Sequence, residues 1–234
     1  FFFVKHGILQ VLFLVFGKEF IYIIINFIKI EKSFLFKNLS YILYNQYNMQ
    51  IGYISFCGNT AFNIKTQDVK EDILRSIYDT SQIKIIQKHF EILNKNHFQK
   101  LNDNPHLISL KSNGNPYLLY LTKYNFVNTC MFIDKKVQAG YFLPRIIITR
   151  FNFPDDLFEN TLIEGEMIKD NNNKWVFLIN DIYIHENISL QNKNLLKRLE
   201  ILNKIFSTYK NDIDDVCTFQ INKYFKYDKF NYLI

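Results

Sequence analysis

The chain holds only three cysteines, Cys57, Cys130 and Cys217, too far apart to form a C-x-x-C pair. An odd, scattered count excludes a disulfide framework or a cysteine zinc site as the organising feature, and makes a reducing compartment the simpler setting. Metalloprotease chemistry is missing as well. His89 and His97 share a helical face, but there is no H-E-x-x-H among the five histidines, which read as surface or half-buried side chains. There is no internal repeat. Nor is the composition that of a disordered chain, since 48% of the residues are hydrophobic and 17% aromatic.

What is present is enough chain for one large domain or two small ones, 234 residues with a formal charge of +6. The basic excess, with a pI of about 9.0, favours an anionic partner such as nucleic acid or a nucleoside triphosphate. A Lys-, Asn- and Ile-rich composition is also what an AT-rich genome produces.

Residues 1–48 stand apart. Gly7 to Phe16 and Phe20 to Ile28 are apolar runs joined by Gly17-Lys18-Glu19. Together they are long enough to span a bilayer, but Lys18 and Glu19 would then lie near its centre at a cost of several kcal/mol. Lys5 precedes an apolar run as in a signal peptide, yet no small-residue cleavage site follows. The first methionine is Met49, and Phe/Ile/Asn/Tyr-rich text is what translated upstream AT-rich DNA resembles. The segment is read as such an extension, with a membrane anchor and a buried helix pair as alternatives. Membrane association is not expected, and residues 49–234 are expected to form the working domain.

From Met49 the pattern is that of a folded domain. Gln50 to Phe56 reads as a strand ended by Cys57-Gly58-Asn59. Asp68 with Glu71 resembles a capping box, followed by Val69, Ile73 and Ile77 at helical spacing. Asp79-Thr80-Ser81 interrupts, and a second helix is expected to carry Ile83, Ile86, Phe90 and Leu93. Lys84, Lys88, Lys95 and Lys100 read as a solvated face, or as the edge of an RNA path. After the break at Asn102-Asp103-Asn104-Pro105, strands are expected over Leu107–Leu110, Tyr117–Leu121, Cys130–Ile133, Ile146–Phe151, Leu162–Ile168 and Trp175–Ile184. Asn171-Asn172-Asn173 reads as a hairpin turn. Leu195, Leu199, Leu202 and Phe206 mark an amphipathic helix, and Val216–Ile221 one more strand. Many strands with flanking helices, not strictly alternating, give an α+β domain with a mainly antiparallel sheet.

The chemistry concentrates between Lys111 and Asp181. A lysine attacks an α-phosphate only as the free amine, which burial or neighbouring cations favour. Lys111-Ser112-Asn113-Gly114 places a lysine after a strand and ends its turn in a glycine, where backbone and phosphate can approach closely. On its own it reads as a surface turn. Glu166 follows in a β-rich run behind Gly165, where a carboxylate can hold a metal or ribose hydroxyls. On its own Ile163-Glu164-Gly165-Glu166 reads as a hairpin with a solvated acid.

Taken together and in order, these stretches resemble the covalent nucleotidyltransferase superfamily of mRNA capping guanylyltransferases and ATP-dependent RNA and DNA ligases. Its K-x-D-G motif is similar to Lys111-Ser112-Asn113-Gly114, its D-G-E motif to Glu164-Gly165-Glu166, and its apolar strand ending in F-D to Val176–Asp181. Thr161-Leu162-Ile163-Glu164-Gly165-Glu166 and Phe132-Ile133-Asp134-Lys135 are nearer to the capping branch, most like the guanylyltransferase domain of large cytoplasmic DNA viruses. The resemblance covers about Leu107 to Phe206. It implies that Lys111 takes GMP from GTP as a phosphoramidate and passes it to the diphosphate 5′ end of RNA. It implies nucleotide contacts from Asn113, Gly114, Lys135, Glu166 and Phe177, with Glu166 at ribose or a Mg²⁺ (or Mn²⁺) ion. It further implies a cytoplasmic setting (a viral factory or virion) and partner triphosphatase or methyltransferase subunits.

Several residues depart from the pattern. Asn113 replaces an aspartate, Pro116 and Lys135 replace arginines, Glu164 replaces an aspartate, and Asn180 stands where F-D has phenylalanine. The later D/E-G-x-x-F and K-x-K motifs are not found before Ile234, and the expectation is a chain cut ahead of them. An ATP-dependent ligase adenylation domain and a non-catalytic nucleotidyltransferase-like RNA-binding subunit are the alternatives.

Overall fold

One central strand carries an unbroken buried run. Tyr117 to Leu121 are all buried, successive side chains alternately facing the two sides of a sheet covered on both faces. This strand, β4 (Asn115–Tyr124), lies centrally in a nine-stranded sheet. The computed structural model describes residues 49–83 and 105–226, together with 85, 94, 97, 99, 103, 228 and 229. Residues 1–51 and 52–234 cluster as two units. The apolar runs before Met49, the helix expected over Ile86, Phe90 and Leu93, His89, and Lys84, Lys88, Lys95 and Lys100 lie outside the described residues.

In chain order the elements are β1 (Ile51–Phe56), β2 (Asn59–Ile64), α1 (Gln67–Ser81), β3 (Leu107–Ile108), β4, β5 (Val127–Asp134) and β6 (Ile146–Thr149). A short 3₁₀ turn (Asp155–Phe158) leads to β7 (Thr161–Lys169), β8 (Trp175–His185), β9 (Ile188–Ser189), α2 (Leu195–Thr208), β10 (Thr218–Ile221) and β11 (Phe225–Lys226). The sheet runs β1-β2-β6-β5-β4-β7-β8-β10, with β9 beside β8. Every pairing from β2 through to β8 is antiparallel, and β10 joins β8 in parallel. β3 and β11 form a separate antiparallel pair, Phe225 opposite Ile108 and Lys226 opposite Leu107. The α+β fold with a mainly antiparallel sheet is as the sequence pattern implies.

Aromatic side chains fill the side of the sheet against α2. Phe132 lies 5.2 Å from Phe177 and 5.9 Å from Tyr117, ring centre to ring centre, both edge-on. Phe219 of β10 then meets Phe151, Phe153, Phe206 and Tyr209. On α1 the buried positions Val69, Ile73 and Ile77 are those the helical spacing selects, and the Ser76 hydroxyl reaches within 3.3 Å of the Tyr120 hydroxyl.

Three local readings are corrected. The N-cap of α1 is Thr66, whose side chain makes no capping bond, so Asp68 lies inside the first turn and is not a capping-box cap. Asn59–Ile64 folds as β2, a strand that the mixed polar text N-T-A-F-N-I does not announce. The strand expected over Leu107–Leu110 stops at Ile108. The Asn171–Asn173 turn forms, held by Asp170, whose carboxylate accepts from the backbone N–H of Asn172 and Lys174 at 2.8 Å each.

Candidate active site

β3 ends at Ile108, and the chain runs as an irregular loop through Lys111 before entering β4 at Asn115. That loop lies hard against β7. A Cβ placed on Gly114 would come within 2.6 Å of Ile168 Cγ2 and 2.9 Å of the Met167 carbonyl oxygen, so only glycine allows the approach. Glu166 fastens the loop: its Oε2 accepts from the Ser112 hydroxyl at 2.6 Å and from the Gly114 backbone N–H at 3.1 Å. The two motifs read separately in the sequence are therefore joined directly, the acid of the second bracing the turn of the first.

On β7, Glu164 and Glu166 are two apart and share the half-buried face, while Ile163, Gly165 and Met167 point into the core. Gly165 is also required by contact, since a Cβ there would lie 2.5 Å from the Leu178 carbonyl oxygen and 2.7 Å from Phe177 Cζ.

The β7–β8 register slips twice. Glu164 faces Asp181 but Gly165 faces Ile179, and Leu162 faces Ile184 but Ile163 faces Ile182. Asn180 and Tyr183 are the residues passed over, and a bulge re-aims the residue it leaves unpaired. Tyr183 donates its hydroxyl to Glu164 Oε2, and the Lys135 ammonium pairs with Glu164 Oε1. The Lys135 backbone N–H donates to the Pro116 carbonyl at 3.2 Å, which ties the end of β5 to the start of β4. Asn180 accepts on Oδ1 from the Asn222 side-chain amide at 2.9 Å and on its carbonyl from the Tyr224 hydroxyl at 2.9 Å. Burial, with the Asp181 and Glu164 charges adding to it, pushes the Tyr224 phenol up to about 12. Behind this wall Arg198 of α2 grips Asp181 through Nε and Nη2 at 2.7 and 2.8 Å. That hydrogen-bonded pair holds the guanidinium above its ordinary value despite burial.

These groups enclose a cavity of about 690 Å³, within the range of small-molecule sites. Its lining runs from Ser109 to Gly114, takes in Pro116, Lys135 and Glu164 to Glu166, and closes on Asn180, Asn222 and Tyr224. Of the residues singled out from sequence, Lys111, Asn113, Gly114, Lys135 and Glu166 meet there. Phe177 does not. It is fully buried among the core aromatics beneath Gly165, supporting the cavity from below without lining it.

Sequence reasoning gave no role to Ser112, Tyr183, Asn222, Tyr224 or Arg198. Ser112 sits within the lysine motif, where a hydroxyl two residues from a carboxylate's partner glycine is the available signal. Tyr183 depends on a bulge that sequence does not reveal, and Asn222 and Tyr224 lie beyond the stretch on which the resemblance rested.

A mainly antiparallel sheet whose cavity gathers a loop lysine, a second lysine and two carboxylates defines a nucleotidyltransferase-like domain. The family model of the mRNA capping enzyme, catalytic domain, matches residues 63–227. The chain belongs to that family, and the match extends on both sides of the stretch that carries the sequence resemblance. Among the described residues no helix is long and apolar enough to cross a membrane.

Proposed function

We propose that this domain is an RNA guanylyltransferase in which Lys111 is the nucleophile. The observation that carries the reading is the Glu166 clamp on Ser112 and Gly114, which presents the lysine-bearing loop at a cavity that also holds Lys135. Family membership supports RNA and GTP as the substrates.

In the first half-reaction the Lys111 amine attacks the α-phosphorus of GTP. A P–N bond forms, the bond to the β-phosphate oxygen breaks, pyrophosphate leaves and the amine proton passes to solvent. In the second, a terminal oxygen of the RNA 5′-diphosphate attacks the same phosphorus. The P–N bond breaks, and the lysine nitrogen takes up a proton as it departs. Lys135 serves as a point charge for phosphate oxygens, exchanging its Glu164 partner for substrate. Glu166, with Oε2 committed to the loop, offers Oε1 to a ribose hydroxyl or a metal, and Asn113 and Gly114 border the phosphates. Gly114 has its N–H on Glu166, so its contribution is the close approach of backbone.

A divalent ion is part of this reading. Among the described residues no cluster of three or more His, Cys, Asp or Glu is placed to hold one. Mg²⁺ typically binds through one or two carboxylates plus substrate phosphates and keeps several waters. The donor set here, Glu166 with an oxygen to spare, fits an ion that arrives with the triphosphate. Such an ion, Mg²⁺ or Mn²⁺, would neutralise phosphate charge as it builds. The acceptor must carry a 5′-diphosphate, so a triphosphatase activity has to act before this step.

The test is incubation with α-³²P-GTP or α-³²P-ATP and Mg²⁺, followed by a denaturing gel. A GTP-derived label that acid releases and Lys111→Ala abolishes is expected. A label from ATP alone would move the domain to ligase-type adenylation. Nucleotide binding without any label would make it a non-catalytic relative.

A further inference from the structure

The segment between β5 and β6, residues 135–145, leaves the sheet at the cavity and is built unlike the other connections. Its base is rigid: the Asp134 backbone N–H donates to the Arg145 carbonyl at 3.0 Å, and Arg145 Nε donates to Asp134 Oδ2 at 2.6 Å. Its first residue, Lys135, lines the cavity. Beyond it a turn closes with the Tyr141 N–H on the Gln138 carbonyl at 3.1 Å, and Gly140 takes the positive φ of 84° that such a turn needs. The outer limb then exposes two adjacent aromatic side chains, Tyr141 at 60% and Phe142 at 98% of full exposure.

A single exposed ring is ordinary on a protein surface, but two adjacent rings on a loop that starts at the cavity form a patch, and the charge around them says what it fits. From Lys135 to Arg150 the sequence carries Lys135, Lys136, Arg145 and Arg150 and no aspartate or glutamate. At the base Lys135 and Arg145 are paired with Glu164 and Asp134, while Lys136 and Arg150 are exposed. Adjacent exposed rings beside such a cation have the composition of a single-stranded nucleic-acid platform, in which bases stack on rings and phosphates meet the cation. A protein partner of opposite charge would want the cations but not two adjacent, nearly bare rings beside a nucleotide cavity.

We propose that the 135–145 loop is the landing platform for the acceptor RNA, its first unpaired bases stacking on Tyr141 and Phe142 while the exposed Lys136 meets the intervening phosphates and the Arg145–Asp134 pair holds the loop's base. The inference rests on the guanylyltransferase reading and adds to it the path of the second substrate. Recognition is by stacking and charge, so it tolerates any base and requires a single-stranded 5′ end.

The two half-reactions separate this inference from the reading beneath it. In the Tyr141→Ala/Phe142→Ala variant, labelling with α-³²P-GTP in the absence of RNA should keep its wild-type rate, because neither side chain lines the cavity. The RNA concentration that half-saturates transfer of the label to a 5′-diphosphate decaribonucleotide should rise tenfold or more, since stacking contributes ~1–3 kcal/mol per base. Transfer to GDP, which has no following base, should be unchanged, and tryptophan at both positions should restore RNA saturation. Phe126 is a matched control. It is 99% exposed but sits past the far end of β4, a ten-residue strand that spans about 33 Å. Phe126→Ala should leave RNA saturation alone.

An unchanged RNA saturation in the double variant, with or without a change in oligomeric state, overturns the inference and assigns the rings to a protein contact or to none. If the wild-type protein takes no label, the guanylyltransferase reading fails and the platform is judged by fluorescence anisotropy on the same RNA. Equal binding by wild type and double variant then overturns it, and a tenfold loss upholds it.

Discussion

Glu166 is tied to the loop by two hydrogen bonds on one oxygen, so its neutral isostere tests whether charge or shape holds Lys111 in place. Hydrogen bonds to a charged acceptor contribute about 1.5–3 kcal/mol each, and their neutral counterparts about half. Glu166→Gln should therefore slow lysine labelling by ten- to a hundredfold while leaving the melting temperature within a few degrees. Ser112→Ala, which removes one donor and leaves the Gly114 bond, should lose less, about tenfold, in the same assay. Tyr183→Phe removes a hydroxyl from Glu164 and nothing else. It should raise the GTP concentration needed for half-maximal labelling several-fold, with the limiting rate little changed, because Lys135 still holds the carboxylate. Gly165→Ala drives a methyl group into the Leu178 carbonyl oxygen, and backbone of the central sheet cannot move aside. A cost of roughly 1–3 kcal/mol follows, or several degrees in thermal melting at about 2–4 °C per kcal/mol for a domain this size.

Helix α2 begins with a working cap and α1 does not, although both start with a residue type suited to the position. Asn194 Oδ1 accepts from the Lys197 N–H at 3.0 Å, whereas Thr66 makes no such bond. Asn194→Ala should cost about 1 kcal/mol, and Thr66→Ala should stay within about 0.5 kcal/mol, both read from urea midpoints. Arg198→Ala is a larger change, leaving the part-buried Asp181 without its bidentate partner at roughly 3 kcal/mol. The same contrast marks how far the elements were legible. The run Tyr117–Leu121 and the stripes of α1 and α2 declared themselves because burial on both faces, or on one stripe, writes a period into the text. β2 went unread because its alternation is broken by Asn63, a buried polar residue. Lys111, Lys135 and Glu166 were legible as motif members, but Phe177 was misplaced because its motif position carries no information on which side of the sheet a ring falls. Asn180 reaches the cavity and Tyr183 reaches Glu164 at register slips, and two-residue periodicity cannot forecast where a ladder slips.

Across the whole molecule, two thiols are sealed in the core. Burial pushes Cys130 up to about 12 and Cys217 well above the ordinary thiol value. Their folded values exceed the unfolded ones, so the stability they affect is intact below the unfolded pKa and is lost as pH rises from there towards the folded value. Each such thiol steepens the loss by up to about 1.4 kcal/mol per pH unit. The melting temperature should hold between pH 7 and 8.5 and fall progressively above pH 9. Cys130→Ala should make that fall shallower even though it lowers the starting value, and equal slopes in the two proteins would refute the assignment. On the native protein at pH 8, iodoacetamide should leave both thiols unmodified until denaturant is added.

The pairing of β3 with β11 sets a schedule. The two residues that lead into the Lys111 loop are held by Phe225 and Lys226, and Asn222 and Tyr224 complete the cavity wall. A ribosome making this chain has therefore to deliver more than a hundred further residues after Lys111 before the loop's anchor exists. The sheet from β4 to β8 is assembled from near neighbours in sequence and can form early, whereas the closing pair is a late, long-range contact. Nascent chains released from synthesis short of Lys226 should be folded over most of their sheet and yet unable to load a nucleotide.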